Sequence, residues 1–327
     1  MERALDADMD VTREAVGQGS AEQHHGELLQ GAVWRDDELV PCLITMPGRG
    51  VGSTARFRAG GHGLHGGSLE VVPAWKQKAA RAARLTLAFI GAPAAGRLEV
   101  ECSVATGVGL GSSTCDVVAA IRAVAAAYGA SLDAGTVARL AIEAEGASDP
   151  IMFDHEMVLF AQRQGRVLES FGSWVPQLAV MSFDADPAAG GVDTLSLPVP
   201  AYTSADLTAF ETMVARAREA FGRRDAGARA ILAAIATESA TLNQRFLRLR
   251  NFAALRRLVD ESGALGLQIS HSGTIGGLLF DVSFVQANVL LEERMASRLR
   301  SLGVRPLGLF TIGAEHTIDA TGEGPLA

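Results

Sequence analysis

Gly107-Val108-Gly109-Leu110-Gly111-Ser112-Ser113-Thr114 stands between a segment that alternates apolar and polar residues (Leu98, Val100, Cys102, Val104) and an Ala-rich run from Val117 to Tyr128. The alternation of period two predicts a strand. In the run that follows, Val117, Ile121, Val124 and Tyr128 share one helical face, and Gly129 ends the helix. Glycines at a strand-to-helix turn let the backbone approach an anion closely and point N–H groups at it, and the helix dipole adds positive potential. A phosphate suits such a cradle. The hydroxyls of Ser112, Ser113 and Thr114 can cap the helix or ligate a magnesium ion held against that phosphate. The spacing matches neither G-x-x-x-x-G-K-[ST] nor GxGxxG, so this is not an ordinary P-loop or a dinucleotide fingerprint.

Outward from this turn, strands are expected at Glu38 to Met46, Ser53 to Phe57, Leu85 to Phe89 and Leu98 to Val104, with Gly-rich connections at 60–67. Ser131 reads as the N-cap of a second helix carrying Val137, Leu140, Ala141 and Ala144. Strands follow at Met157 to Ala161 and Leu178 to Phe183. Beyond them lie helical faces at Leu207/Phe210/Met213/Val214, Ile231/Leu232/Ile235 and Phe252/Leu255/Leu258/Val259. A strand Leu278 to Val282, a helix Val289 to Leu302 and a last strand Pro306 to Ile312 complete an α+β order. The expected division is a leader at 1–18, an N-terminal domain at 19–175 and a C-terminal domain at 176–327.

The chain has 327 residues, 48% apolar and 20% charged, with 36 Gly and 11 Pro, the composition of a globular protein. Its 29 basic and 37 acidic side chains leave −8, which supplies no net attraction to nucleic acid or an anionic membrane, and neither is expected as a partner. Only Lys76 and Lys78 are lysines. Cys42, Cys102 and Cys115 lack CxxC spacing and read as reduced thiols; with no signal peptide or long apolar run, a cytoplasmic location is expected.

Gly-Leu-Gly-Ser-Ser-Thr at 109–114 resembles the phosphate-binding motif of the GHMP kinases, the superfamily of galactokinase, homoserine kinase, mevalonate kinase and phosphomevalonate kinase. Ala105 replaces the proline that the family carries four residues before this core. Gly26-Glu27-Leu28-Leu29-Gln30-Gly31, Leu39-Val40-Pro41-Cys42, His271-Ser272-Gly273-Thr274 and Gly276-Gly277-Leu278-Leu279-Phe280-Asp281 resemble, in the same order, the L-threonine kinase branch of cobalamin and propanediol-utilisation pathways.

The resemblance implies a ribosomal-protein-S5 domain-2-like N-terminal domain and a ferredoxin-like C-terminal domain. ATP and Mg²⁺ would lie between them, and a small hydroxy amino acid would be the acceptor. It implies ATP contacts from Gly107, Gly109, Leu110, Gly111, Ser112, Ser113 and Thr114, and a metal held by Ser113 and Glu145, with Glu143 as the fallback. Phosphoryl transfer also needs a group that orients or deprotonates the attacking hydroxyl. Asp149 is assigned that role, in an altered Gly146-Ala147-Ser148-Asp149-Pro150 loop. Glu27, His25, Ser272, Gly273 and Thr274 are expected at the acceptor, and Glu27 could bind an ammonium. His24 and His25 together invite a metal reading, but no third ligand follows at suitable spacing. Asp116 reads as a first-turn acid favouring the helix dipole. Trp34, Trp75 and Trp174 read as packing residues, with one able to stack on adenine. A homoserine or other small-alcohol kinase, a non-catalytic ligand-binding protein of the same fold, and a homodimer all stay open.

Overall fold

A long antiparallel hairpin of β1 (Val16–Arg35) and β2 (Glu38–Ala59) runs through the middle of the protein. Its turn is Asp36-Asp37, both at positive φ (53° and 64°), the backbone a two-residue hairpin loop demands and Asp tolerates. The computed structural model describes residues 15–60, 68–103, 111–154, 156–188, 200–270 and 274–313. After the hairpin come β3 (Leu69–Val72), α1 (Gln77–Phe89), β4 (Gly96–Cys102), α2 (Ser112–Ala127), α3 (Ala134–Glu145), β5 (Met157–Ala161), β6 (Arg166–Gly172) and β7 (Leu178–Asp184). The rest is α4 (Ser204–Arg223), α5 (Ala226–Asn243), α6 (Phe252–Ser262), β8 (Gly266–Ile269), β9 (Ile275–Asp281), α7 (Val282–Ala287), α8 (Leu291–Ser301) and β10 (Arg305–Ile312).

The strands join in the order β10-β7-β9-β8-β1-β2-β4-β3, with β5 on β2 and β6 on β5. One sheet therefore crosses residue 175, where the domain division was expected. The cores are more segregated. One, under α1, α2 and α3, draws only on residues from Ala21 to Phe160; another, around α6, α8 and the β7–β9 strands, only on Ala179 to Val304. A third, with Leu28, Leu29 and Ile44 against Phe210, Phe221 and Leu232, draws on both halves.

Several expectations are corrected. Leu85 to Phe89 ends helix α1 rather than forming a strand: Ala79, Ala80, Ala82, Ala83, Thr86 and Leu87 make one buried helical face, which outweighs the short alternation. The N-cap of α3 is Asp133, not Ser131, and Asp133 Oδ1 accepts from Thr136 N–H at 2.8 Å. Val282 starts α7, because Asp281 Oδ1 caps Ser283 N–H at 2.9 Å and ends β9. Val16 to Gln18, inside the expected leader, already pair with β2. The three cysteines are free thiols, with burial pushing Cys42 up to about 12. Among the described residues no helix is long and apolar enough to cross a membrane.

Candidate functional site

Three elements converge where α2 begins. Gly111 is the N-cap of α2, held in the left-handed region at φ 69° and ψ 19°, with no side chain capping the helix. The first-turn N–H groups therefore start from a residue whose conformation glycine adopts at no cost. Ser113 Oγ, one residue into the helix, donates to Glu145 Oε2 at 3.0 Å. Glu145 is the last residue of α3, and Gly146 ends that helix at φ 85° with its N–H on Ile142 O at 2.7 Å. The chain then turns inward: Ser148 N–H donates to Gln162 O, which buries Asp149. From the other side, His24 of β1 brings Nε2 to 2.9 Å from Asp149 Oδ2, both side chains being almost fully buried.

Space at this junction is tight. A Cβ on Gly111 would lie 2.0 Å from His24 Nε2. Gly111→Ala should therefore both strain the left-handed backbone and push His24 off Asp149. We expect a loss of at least about 10²-fold in turnover, with a stability cost of ~1–3 kcal/mol. Steady-state rates and denaturant unfolding would check this, and wild-type rates in the variant would refute the contact.

Electrostatically the junction is acidic, and it is buried. Burial raises the Glu145 carboxyl to about 7; the Asp149 charge adds to the rise, while the Thr114 and Ser148 hydroxyls and Lys78 oppose it. Glu145 Oε1 is buried with no hydrogen-bond partner among the described residues. A carboxylate so placed, 3.0 Å from a serine hydroxyl, is a donor set for a hard divalent cation. Among the described residues no cluster of three His, Cys, Asp or Glu could hold a metal alone. Ser113 and Glu145 could supply two oxygen ligands to such a cation.

Asp116 is more than a first-turn acid. Its Oδ1 accepts from Lys76 Nζ at 2.6 Å and from Ser53 Oγ at 2.7 Å, with all three side chains buried. This brace ties the first turn of α2 to the start of α1 and to β2. Lys76 went unassigned in the sequence; its signal was that it is one of two lysines in a chain of 29 basic residues.

The acceptor-side expectations divide. Glu27 is buried and sits between Thr45 of β2 and Ile269 of β8. Thr274 is buried, its carbonyl accepting from Ala185 N–H at 2.8 Å. His25 is corrected. Its ring nitrogens are taken by Ser182 Oγ (2.8 Å) and Gln268 Nε2 (2.5 Å), and burial lowers its pKa to about 3, so it is occupied inside the protein and does not face an acceptor. The neighbouring His24, noted in the sequence only as half of a pair, is the histidine that reaches the site. Gly107, Gly109, Leu110, His271, Ser272 and Gly273 lie outside the described residues. Ser112 is half-buried beside Gly111, and Thr114 is buried. Trp174 packs on Phe221, whereas Trp34 and Trp75 are exposed and are not packing residues.

Residues 77–156, which contain α1 to α3 and Asp149, match the family model of the GHMP kinases N terminal domain. The L-threonine kinase of Salmonella typhimurium is 28% identical over 185 residues, 57% of this chain and 60% of that protein. That of Citrobacter freundii is 26% identical over 185 residues, 57% of this chain and 62% of that protein. The matched part thus spans about three fifths of the curated relatives' length. A homoserine kinase from Cytophaga hutchinsonii superposes over 95% of this chain and 96% of its own, with a TM-score of 0.62 and 12% identity. A mevalonate diphosphate decarboxylase from Staphylococcus aureus does so over 91% and 98%, with a TM-score of 0.64 and 15% identity. At these identities the likeness is one of fold, a fold that carries more than one reaction.

Proposed function

From a GHMP kinase N-terminal domain in residues 77–156, set in a fold of the same kind, we propose that this protein transfers the γ-phosphoryl group of ATP to the side-chain hydroxyl of a small acceptor. L-Threonine or a related β-hydroxy amino acid is the acceptor we favour, on the likeness to L-threonine kinases. The observation that carries the reading is the junction itself: a helix N-terminus, a serine paired with a buried half-satisfied carboxylate, and a second carboxylate held by a histidine.

Each part answers a need of phosphoryl transfer, which rests on positioning and charge neutralisation more than on covalent chemistry. The α2 N-terminus, with Gly111 to Thr114, binds phosphate oxygens through backbone N–H groups. Ser113 and Glu145 hold the metal. Magnesium bound there supplies neutralisation of charge on the phosphate oxygens. Asp149 orients the acceptor hydroxyl and takes its proton, and His24 holds that carboxylate in place. Glu27 binds the acceptor's ammonium, and Thr274 contacts the acceptor from the second half of the chain. On this reading an N-terminal ATP-binding domain ends near residue 175 and a C-terminal domain follows it.

The test is ADP release from MgATP across L-threonine, L-serine, L-homoserine, other β-hydroxy amino acids and mevalonate, with an EDTA control. We expect magnesium-dependent turnover with a β-hydroxy amino acid and at least about tenfold lower kcat/KM for the rest. Preference for L-homoserine would move the acceptor while keeping the reaction. No turnover together with no nucleotide binding by calorimetry would overturn the kinase reading.

A further inference from the structure

The mechanism above leaves His25 unused, although it is among the most tightly held side chains in the protein. Around it β1 is irregular: its register against β2 shifts between Ala21 and Glu22, Glu22 and His24, His24 and Glu27, and Glu27 and Leu29. Bulges of this kind re-aim side chains near active sites. Here they send two successive histidines to different parts of the molecule. His24 goes to Gly111 and Asp149. His25 goes to the second half of the sheet, where Ser182 of β7 and Gln268 of β8 take its two nitrogens and the Phe310 ring of β10 stands edge-on with its centroid 5.1 Å away.

The surrounding backbone is shaped to this grip. A Cβ on Gly277 of β9 would lie 3.2 Å from His25 Cε1, and one on Gly26, at φ 66°, would lie 2.0 Å from Gln268 Oε1. Burial keeps the His25 ring neutral. With both nitrogens occupied it has no site left for a substrate, a proton or a metal. What remains is its effect on the next residue. Consecutive Cα atoms are about 3.8 Å apart, so fixing His25 fixes the backbone from which His24 projects. A slip of one residue in this stretch would turn His24 to the opposite face.

We propose that His25 is a positioning residue that pins the β1 bulge to β7 and β8 and thereby holds His24, and through it Asp149, at the start of α2. The kinetic part of this proposal rests on the kinase reading. The same clamp ties this stretch of β1 to β7 and β8.

Two variants probe the clamp from opposite sides. His25→Phe keeps a ring against Phe310 but no hydrogen bond, and Ser182→Ala removes the β7 partner while leaving His25 in place. Both should lower kcat, by about 10–100-fold and about 3–10-fold respectively, with the Kd for MgATP within about threefold of wild type. In a His24→Gln background, either change should cost less than about a further twofold, because the position it protects is already lost. Losses that multiply, or ATP binding that falls in step with kcat, would overturn the proposal and leave His25 a fold-holding residue. Imidazole ¹⁵N spectra give a readout without turnover: the His24 signals should shift in Ser182→Ala, and unchanged His24 signals in both variants would overturn the proposal even if wild type released no ADP. Absence of wild-type turnover would count against the kinase reading alone.

Discussion

Asp149→Asn should lower kcat by about 10²–10⁴ while changing MgATP affinity no more than about threefold. The substitution is nearly isosteric. An Asn side chain can occupy the same place opposite His24 Nε2, 2.9 Å from the Asp149 carboxylate, so the loop after α3 should keep its place. What disappears is the negative charge and the capacity to accept a proton. The proposed nucleotide contacts from α2 and the Ser113–Glu145 pair are untouched, which is why binding and turnover should part company on this reading. Asn also removes the Asp149 charge that helps raise Glu145, so the metal site should become slightly easier to ionise. Steady-state ADP release and a calorimetric titration separate the two effects. Wild-type turnover in the variant would remove Asp149 from the base role, and an equal fall in ATP affinity would place it among the nucleotide contacts instead.

How far the sequence foretold this site follows from how local each signal is. Helix α2 and the helix ending at Glu145 are written in contiguous residues, and the structure brings Ser113 of the first to Glu145 of the second. β1 was not legible. Gly17, Gly19, Gly26 and Gly31 interrupt it, and its repeated register shifts erase the alternation that would announce a strand. The short apolar run Leu85 to Phe89 was misread because five residues cannot separate a buried helix end from a strand; the alanines before it decide the matter once α1 packs on α2. The placing of His25 rather than His24 among the site residues has one cause. Which of two adjacent histidines faces Asp149 depends on bulges that arise only when β1 is paired on both sides, with β2 and with β8. The Lys76–Asp116–Ser53 brace likewise joins three elements that nothing local connects.

Glu145→Gln should abolish most magnesium-dependent turnover, by about 10²–10³, and yet stabilise the ligand-free protein at alkaline pH. Burial lifts this carboxyl from 4.5 to about 7 in the folded protein. Between those values the folded state binds a proton there that the unfolded state has released, so stability from this group is full below pH 4.5 and declines as pH rises toward 7. The decline amounts to something on the order of 3 kcal/mol, as an upper figure for a fully buried group. An amide carries no charge to bury. The variant should therefore exceed wild type by ~1–3 kcal/mol at pH 8 and lose that advantage near pH 4.5, as read by denaturant unfolding at the two pH values. MgATP should reverse the order at pH 8, because a cation beside Oε1, which has no hydrogen-bond partner among the described residues, turns the buried charge from a cost into a ligand bond stronger than a neutral amide makes. A gap between the two proteins that is the same at both pH values would show that the Glu145 charge costs the fold nothing. Undiminished turnover would remove Glu145 from the metal site, and Glu143, on the same helix, would then be the next carboxylate to replace.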